Sequence, residues 1–183
     1  MHDFLVTVDV ESDWGGRLSP VKENLDGLYQ GLDNLLYLFE KLAIPATFFI
    51  SSDLIKEATR ELQKIKTLQH EVASHGHKHI DYSELSNNQY KYQLEQSIDK
   101  LETLYNQKVD GFRAPQFRIN KYHFEVLSKL NLKYDSSIVS GKSIFGRYDN
   151  KKYVYPYYHN SILEIPVTSY TNMNIPFGLL WVN

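Results

Sequence analysis

The amino-acid sequence predicts an α/β domain in which parallel strands alternate with helices. Short apolar, β-branched stretches alternate with longer stretches whose apolar residues recur at helical spacing. Polar side chains able to do chemistry follow the ends of the short stretches, as they do at the rim of an α/β barrel. The 183 residues suffice for one core, and no repeat or linker divides them. We therefore expect a single domain over residues 1–183.

The first strand of this pattern covers residues 4–10, which are apolar and β-branched. Because side chains alternate across a strand, Asp9 and Glu11 lie on one face and the valines on the other. A helix is predicted over 24–42, where seven apolar residues recur at helical spacing before Pro45. The second strand is predicted at 46–50.

The rest of the chain continues the alternation. Ser52 or Asp53 is expected to cap a helix that runs to about Leu68. The remaining predicted elements are a strand at 71–74, a helix at 87–105, a strand at 110–115, a helix at 121–130, and strands at 133–138, 152–158 and 162–169.

Two segments carry the residues of a candidate metal site. Asp9 and Glu11 follow an apolar run, and His75, His77 and His79 stand within five residues after the third strand. Two histidines and one carboxylate with open positions make up hydrolytic zinc sites and non-haem iron sites. His75 and His79 are four apart and can share one face, whereas His77 points elsewhere. The alternative is a polar loop with incidental histidines.

The chain resembles the polysaccharide deacetylase (NodB-homology) family, carbohydrate esterase family 4, in its Asp-x-Glu branch. Four segments carry the resemblance in order, at 7–11 (Thr-Val-Asp-Val-Glu), 74–79 (Ser-His-Gly-His-Lys-His), 112–115 (Phe-Arg-Ala-Pro) and 134–137 (Tyr-Asp-Ser-Ser). The resemblance implies a distorted (β/α)7 barrel.

The resemblance also implies a role for each matched residue. Asp9 would be the catalytic base, and the metal ligands would be Glu11, His75 and His79. Arg113 would orient the base. The fourth motif, with Asp135, would wall the pocket and tether that arginine.

The reaction implied is metal-dependent removal of N-acetyl groups from a cell-surface or capsular saccharide or its precursor. Metal-bound water, deprotonated by Asp9, would attack the acetyl carbonyl. Zn²⁺ is favoured by these ligands, which also accept Co²⁺, Mn²⁺ or Fe²⁺. Weaker candidates for substrate contacts are Trp14, Ser51 and Pro115, and Trp14 is as readily a structural residue.

One part of the family pattern has no match. The family's fifth motif supplies a histidine as general acid, and the only histidine after His123 is His159, which precedes the predicted last strand. The apolar final residues, 175–183, also lack a polar ending. We therefore expect the domain to continue beyond Asn183, with its last elements and the acid histidine outside this chain.

The composition of the chain limits the expected binding partners and the expected cellular location. Lys and Arg number 20 against 22 Asp and Glu, without a basic run, so nucleic acid is not expected. No apolar stretch reaches the roughly 20 residues of a membrane span, and no signal peptide is visible. A cytoplasmic location is the default expectation, and the absence of Cys excludes disulfides and thiolate sites.

Two other functions fit the same residues. The barrel could cleave a small amide such as allantoin, or it could be a catalytically impaired barrel that only binds saccharide. The missing acid histidine favours the impaired barrel. The presence of Asp9, Glu11, His75, His79 and Arg113 together argues against it.

Overall fold

A seven-stranded sheet, with helices between its parallel strands, forms the frame of the molecule. The structure is a computed structural model that describes residues 5–11, 25, 27–142, 149–150, 155–170 and 175–176. Its strands are β1 (Val6–Val10), β2 (Ala46–Ile50), β3 (Glu71–Ser74), β4 (Gly111–Phe112), β5 (Tyr134–Asp135), β6 (Gly141–Lys142), β7 (Asp149–Asn150), β8 (Tyr157–His159), β9 (Ile162–Glu164), β10 (Ser169–Tyr170) and β11 (Ile175–Pro176).

The sheet follows the order β1-β2-β3-β4-β5-β9-β8. Neighbours from β1 to β9 are parallel, and β8 returns antiparallel against β9. Two small ribbons, β6 with β7 and β10 with β11, are separate from this sheet. The predicted parallel α/β arrangement is confirmed. Within the described residues the sheet does not close, and β1 and β8 are its edges.

Four helices connect or flank these strands: α1 (Leu32–Leu42), α2 (Ile55–Thr67), α3 (Asn87–Tyr105) and α4 (His123–Lys129). A π-helical turn, Gly27–Gly31, precedes α1, so the predicted first helix is present from residue 27 in the described part of the chain. α3 has the predicted bounds, and Ser86 and Gln89 form a reciprocal capping box at its start.

The prediction that Ser52 or Asp53 caps α2 is wrong. Both residues belong to a 3₁₀ turn, Ser52–Leu54, and no side chain caps this turn or α2. The hydroxyl of Ser52 instead lies 2.9 Å from Nδ1 of His77. The Ser52 hydroxyl, which the sequence pattern predicted to cap α2, thus contacts the histidine loop.

The two faces of the sheet have different environments. Val6, Val8 and Val10 of β1 pack on the side of the helices, where they join the core formed by residues such as Phe48 and Leu94. The opposite face of β1 carries Thr7 and Asp9, as the alternation predicts. This polar face is where the candidate site lies. In the described part of the chain, no helix combines the length and the hydrophobicity needed to cross a membrane.

Candidate metal centre and catalytic site

The candidate site lies at the carboxyl edge of the sheet. Glu11, His75 and Arg113 are each the first residue after a strand, following β1, β3 and β4. Parallel strands end at the same edge, so residues separated by up to about a hundred positions meet there. Backbone hydrogen bonds continue just past the strands, since His75 N–H donates to Ile50 O and Arg113 N–H to Ser74 O.

Glu11, His75 and His79 form a cluster of metal-ligating groups. One ligand atom from each lies within 4.8 Å of the other two. Oε2 of Glu11 is 2.6 Å from Nε2 of His79 and 3.3 Å from Nε2 of His75. The imidazoles are nearly buried and the carboxylate is 15% exposed, so the cluster is open toward solvent on the carboxylate side.

Gly76 makes the tight turn between the two histidines. Its φ is +83°, which favours glycine, and a Cβ there would be 2.1 Å from the hydroxyl of Tyr82. The loop is also held to the end of β2, because the N–H groups of Ser52 and Asp53 donate to the carbonyls of Gly76 and His77. The histidine loop is therefore a fixed part of the fold.

The hydrogen bonds of His75 suit a metal ligand. Nδ1 of His75 lies 2.8 Å from the carbonyl oxygen of Arg113, which can only accept, so Nδ1 carries the proton. The other nitrogen, Nε2, then presents its lone pair to the cluster. Such a second bond is usual for histidines that bind zinc.

The environment of Glu11 also keeps it ionised. Burial by itself would raise the pKa of Glu11, but the hydrogen bonds and charge of His75 and His79 outweigh it and lower this pKa to about 2. A carboxylate and two imidazoles, all close together, fit the nitrogen and oxygen donor set of Zn²⁺ and similar divalent ions.

Asp9 stands beside this cluster and is paired with Arg113. Its Oδ1 accepts a 2.7 Å hydrogen bond from Nη1 of Arg113. The arginine side chain is 6% exposed and that of Asp9 is 28% exposed. Asp9 therefore keeps access to solvent while the arginine fixes its direction.

Arg113 is itself held on several sides. Nε and Nη2 donate to the carbonyl and hydroxyl oxygens of Ser136, at 3.1 and 2.8 Å, and Nη1 also donates to Thr7. The guanidinium lies 4.1 Å from the centre of the Phe49 ring. The position of Asp9 thus depends on the segment that follows β5.

Asp135 lies deeper than a residue in contact with substrate. It is fully buried, accepts a 2.7 Å hydrogen bond from the hydroxyl of Ser137, and lies 2.9 Å from Nε2 of His123. No direct hydrogen bond joins Asp135 to Arg113 among the described contacts. The tether expected from the fourth motif is made by Ser136, the next residue.

Two of the three weaker candidates for substrate contacts, Ser51 and Pro115, are buried. The third, Trp14, lies outside the described residues. His77, which was not expected to be a ligand, lies between Ser52 and Lys100, 3.4 Å from the Nζ of the lysine. It is absent from the metal-ligating cluster of the described residues.

Sequence reasoning missed a buried polar cluster beside Asp135. It contains Tyr90, His123 and Glu164, all less than 2% exposed. For Glu164 there was a usable signal, a lone carboxylate within the apolar run Ile162 to Ile165. His123 gave none, because a single histidine on a helix has many structural explanations.

Comparison with known sequences relates this site to other proteins. A family model described as polysaccharide deacetylase matches residues 26–134, more than half of the chain. A peptidoglycan deacetylase of Helicobacter pylori is 29% identical over 140 residues, covering 73% of this chain and 48% of that protein. The chain thus spans about half the length of this curated relative.

Comparison with solved structures gives the same fold. A candidate polysaccharide deacetylase from Mycobacterium smegmatis matches 89% of this chain and 57% of its own, with a TM-score of 0.73 and 22% identity. The allantoinase Puue matches 92% and 62%, with a TM-score of 0.69 and 19% identity. A CE4 family pseudoenzyme from Bacillus anthracis matches 70% and 41%, with a TM-score of 0.58 and 23% identity. These likenesses confirm the predicted barrel-type α/β fold.

Proposed function

The chain belongs to the polysaccharide deacetylase family, and from this premise we propose that it is a metal-dependent hydrolase that removes N-acetyl groups from a saccharide. One observation carries the proposal: Glu11, His75 and His79 converge next to a solvent-accessible Asp9 that Arg113 holds in place. A protein that only binds saccharide has no need of this combination. The relative named as a peptidoglycan deacetylase supports an N-acetylated polysaccharide as the class of substrate.

Glu11, His75 and His79 would hold the metal. When bound there, Zn²⁺ or a similar ion supplies a Lewis acid that polarises a carbonyl oxygen and lowers the pKa of water. The residues support such binding, because Glu11 is ionised and the carbonyl of Arg113 holds the Nδ1 proton of His75, so that Nε2 of the neutral imidazole would be the ligand atom.

Asp9 would act as the general base. Its side chain is 28% exposed and would be able to take a proton from the water that attacks the acetyl carbonyl. Arg113 keeps Asp9 oriented through the 2.7 Å hydrogen bond and stays fixed itself on Ser136 and Phe49. Arg113 therefore acts by positioning the base.

The proposal is tested by acetate release from N-acetylglucosamine oligomers and peptidoglycan fragments, with zinc binding measured by calorimetry on the same preparation. We expect the metal-stripped protein to bind about one equivalent of zinc and to release acetate only when it is loaded. His75→Ala should lose both zinc binding and acetate release. His70→Ala is the control, because His70 packs against Phe39 and Phe48, away from the cluster.

The other outcomes separate the competing functions. Zinc binding with hydrolysis of small cyclic or linear amides, and no acetate release, would replace the saccharide by an amide substrate. Zinc and saccharide binding without any turnover would identify an impaired barrel. Failure of the wild type to bind zinc would overturn the metal-dependent proposal.

A further inference from the structure

A chain of buried polar side chains crosses from the helices to the sheet behind Arg113. The hydroxyl of Tyr90, on α3, lies 2.5 Å from Nδ1 of His123, on α4. Nε2 of His123 lies 2.9 Å from Oδ2 of Asp135, at the end of β5. All three residues are 0–1% exposed. Burying so many polar groups is costly unless each is satisfied, which indicates a specific role.

Glu164 completes this buried chain from the neighbouring strand. It pairs with Asp135 in the parallel register of β5 and β9, and it is 0% exposed. Two adjacent buried carboxyl groups cannot both be ionised. Burial and the negative charge of Asp135 raise the pKa of Glu164 to about 11, so Glu164 keeps its proton beside Asp135.

The charge of the pair therefore rests on Asp135. Burial alone would raise the pKa of Asp135, but the charge of His123 and the hydrogen bonds from His123 and Ser137 lower it. Oε1 of the Glu164 carboxyl accepts the N–H of Ile138 at 3.0 Å. At the other end of the segment 135–138, the backbone N–H of Ile165, the residue after Glu164, donates to the carbonyl of Asp135 at 2.8 Å. Glu164 and its strand thus hold both ends of this four-residue segment.

That segment is what holds Arg113 in place. Between Asp135 and Ile138 lie Ser136, which accepts two hydrogen bonds from Arg113, and Ser137, whose hydroxyl accepts the N–H of Ala114 at 2.8 Å. Ser136 is fixed further by donating to the carbonyl of Ile165, one residue after Glu164. Glu164 is therefore linked to the guanidinium through the segment 135–138, which bonds to Glu164 at Ile138 and to Arg113 at Ser136.

We propose that Glu164 is a positioning residue for Arg113, and through it for Asp9, because its carboxyl holds the segment 135–138 against the arginine. The catalytic consequence rests on the proposed deacetylase function. The structural consequence, a fixed guanidinium, does not depend on it.

Substitutions at Glu164 test this positioning role. Glu164→Gln keeps an N–H donor for Asp135 and an oxygen for Ile138, so it should behave like the wild type. Glu164→Leu removes both and should lower kcat about 10- to 100-fold, as for a small misplacement of a catalytic group. KM and zinc affinity should stay unchanged, because Glu164 is not among the metal-ligating groups of the described residues.

The second measurement does not need activity. Hydrogen exchange of the Arg113 Nε–H, followed by NMR, should be slow in the wild type and in Glu164→Gln, and clearly faster in Glu164→Leu. Glu102→Leu is the matched control. Glu102 also accepts one backbone N–H, that of Val109, but this contact lies before the start of β4, at the end of the strand opposite to Arg113. Its Arg113 exchange should equal that of the wild type.

Each other outcome has a definite meaning. A folded Glu164→Leu with slow Arg113 exchange overturns the proposal, and so does a Glu164→Gln that is as impaired as Glu164→Leu. If Glu164→Leu does not fold, Glu164→Asp replaces it, since the shorter side chain cannot reach both Asp135 and Ile138. A wild type that releases no acetate contradicts the proposed function alone, and the exchange measurement still decides the positioning of Arg113.

Discussion

Asp9 and Glu11 are two positions apart on one face of a strand, yet their partners differ completely. Glu11 meets two imidazoles and Asp9 meets one guanidinium. The difference arises because the partners come from different strands: the histidines follow β3, and the arginine follows β4. Two carboxylates of one short motif thereby have separate tasks in the proposed reaction.

Asp9→Asn should separate these tasks. The amide has nearly the same size and keeps an oxygen for Arg113, but it cannot accept a proton. We expect acetate release to fall about 10²–10⁴-fold, the usual contribution of a general base, with zinc affinity within error of the wild type. Steady-state assays and zinc calorimetry on one preparation check both values. Acetate release at the wild-type rate would show that another group is the base.

The sequence was sufficient to predict the residues of the cluster but not all of their surroundings. Glu11, His75 and His79 come together as predicted, because their motifs are short and each follows a strand end. The tether of Arg113 was assigned to the fourth motif, residues 134–137, without specifying which residue makes it. Neighbouring residues in an extended segment point to opposite sides, and the pattern alone does not say whether Asp135 or Ser136 faces the arginine.

At the scale of elements, the loop from β3 to α3 is shaped both by a local turn and by contacts with a distant strand. A turn with positive φ at Gly76 separates the two histidines, and the loop's carbonyls accept hydrogen bonds from the end of β2. The same contacts bear on the missing cap before α2. The backbone N–H groups of Ser52 and Asp53, which have no acceptor within a helix, donate to the carbonyls of the histidine loop.

Gly76→Ala should damage this element specifically. The new methyl would meet the buried ring of Tyr82 in a conformation that non-glycine residues rarely adopt. We expect the free energy of unfolding to fall by about 1–3 kcal/mol, and zinc affinity to fall because both histidines move. Chemical denaturation and zinc calorimetry measure the two effects.

Gly31→Ala is the matched control for that substitution. Gly31 has helical backbone angles and open space around its Cβ position, so alanine should be neutral or slightly stabilising, by less than about 1 kcal/mol. Equal losses of stability in both variants would show that the turn at Gly76 has no special constraint.

The bounds of β2, β3 and α3 agree with their predictions, whereas those of several other elements differ. α3 has its predicted limits because its start is encoded by a capping box. The predicted strand at 133–138 is only Tyr134–Asp135, and after it the carbonyl of Ser136 accepts from Arg113 while the N–H of Ile138 donates to the side chain of Glu164. Such distant contacts leave no periodic signal in the sequence.

At the scale of the whole molecule, the alternation of strands and helices predicted the parallel sheet correctly. The order of β1 to β5 in space follows their order in the chain, as short right-handed crossovers favour. The antiparallel return of β8 was not predicted. It results from the tight turn between β8 and β9, where Asn160 has a φ of 53°, and it places a hairpin at the edge of the sheet.

The pairing of β5 with β9 makes the stability of the whole chain depend on pH. Glu164 has a pKa of about 11 in the folded protein and an ordinary value near 4.5 in the unfolded chain. Between these values the folded state holds a proton that the unfolded state releases. The stabilisation is therefore complete below the lower value and is lost progressively as the pH rises toward the higher one.

Glu164→Gln should remove this dependence, because the amide does not titrate. The free energy of unfolding of the wild type relative to the variant should fall with rising pH, by up to about 1.4 kcal/mol per pH unit. Urea denaturation at several values from about pH 6 to about pH 8 measures the slope. Glu40→Gln, at an exposed position on α1, is the control and should leave the wild-type slope. Parallel curves for the wild type and Glu164→Gln would mean that Glu164 is ionised in the folded protein.

Arg113 contributes to the site through both its backbone and its side chain, and this has a consequence for how the site can evolve. Its peptide carbonyl fixes the proton of His75, and its guanidinium aims Asp9. Replacing the arginine removes the contacts of its side chain, with Asp9, Thr7 and Ser136, but leaves the carbonyl, because every amino acid carries one. A single codon change at position 113 would therefore abolish the positioning of the proposed base while the carbonyl still orients His75. A single reversion would restore that step of the proposed reaction without any change in the metal-ligating residues.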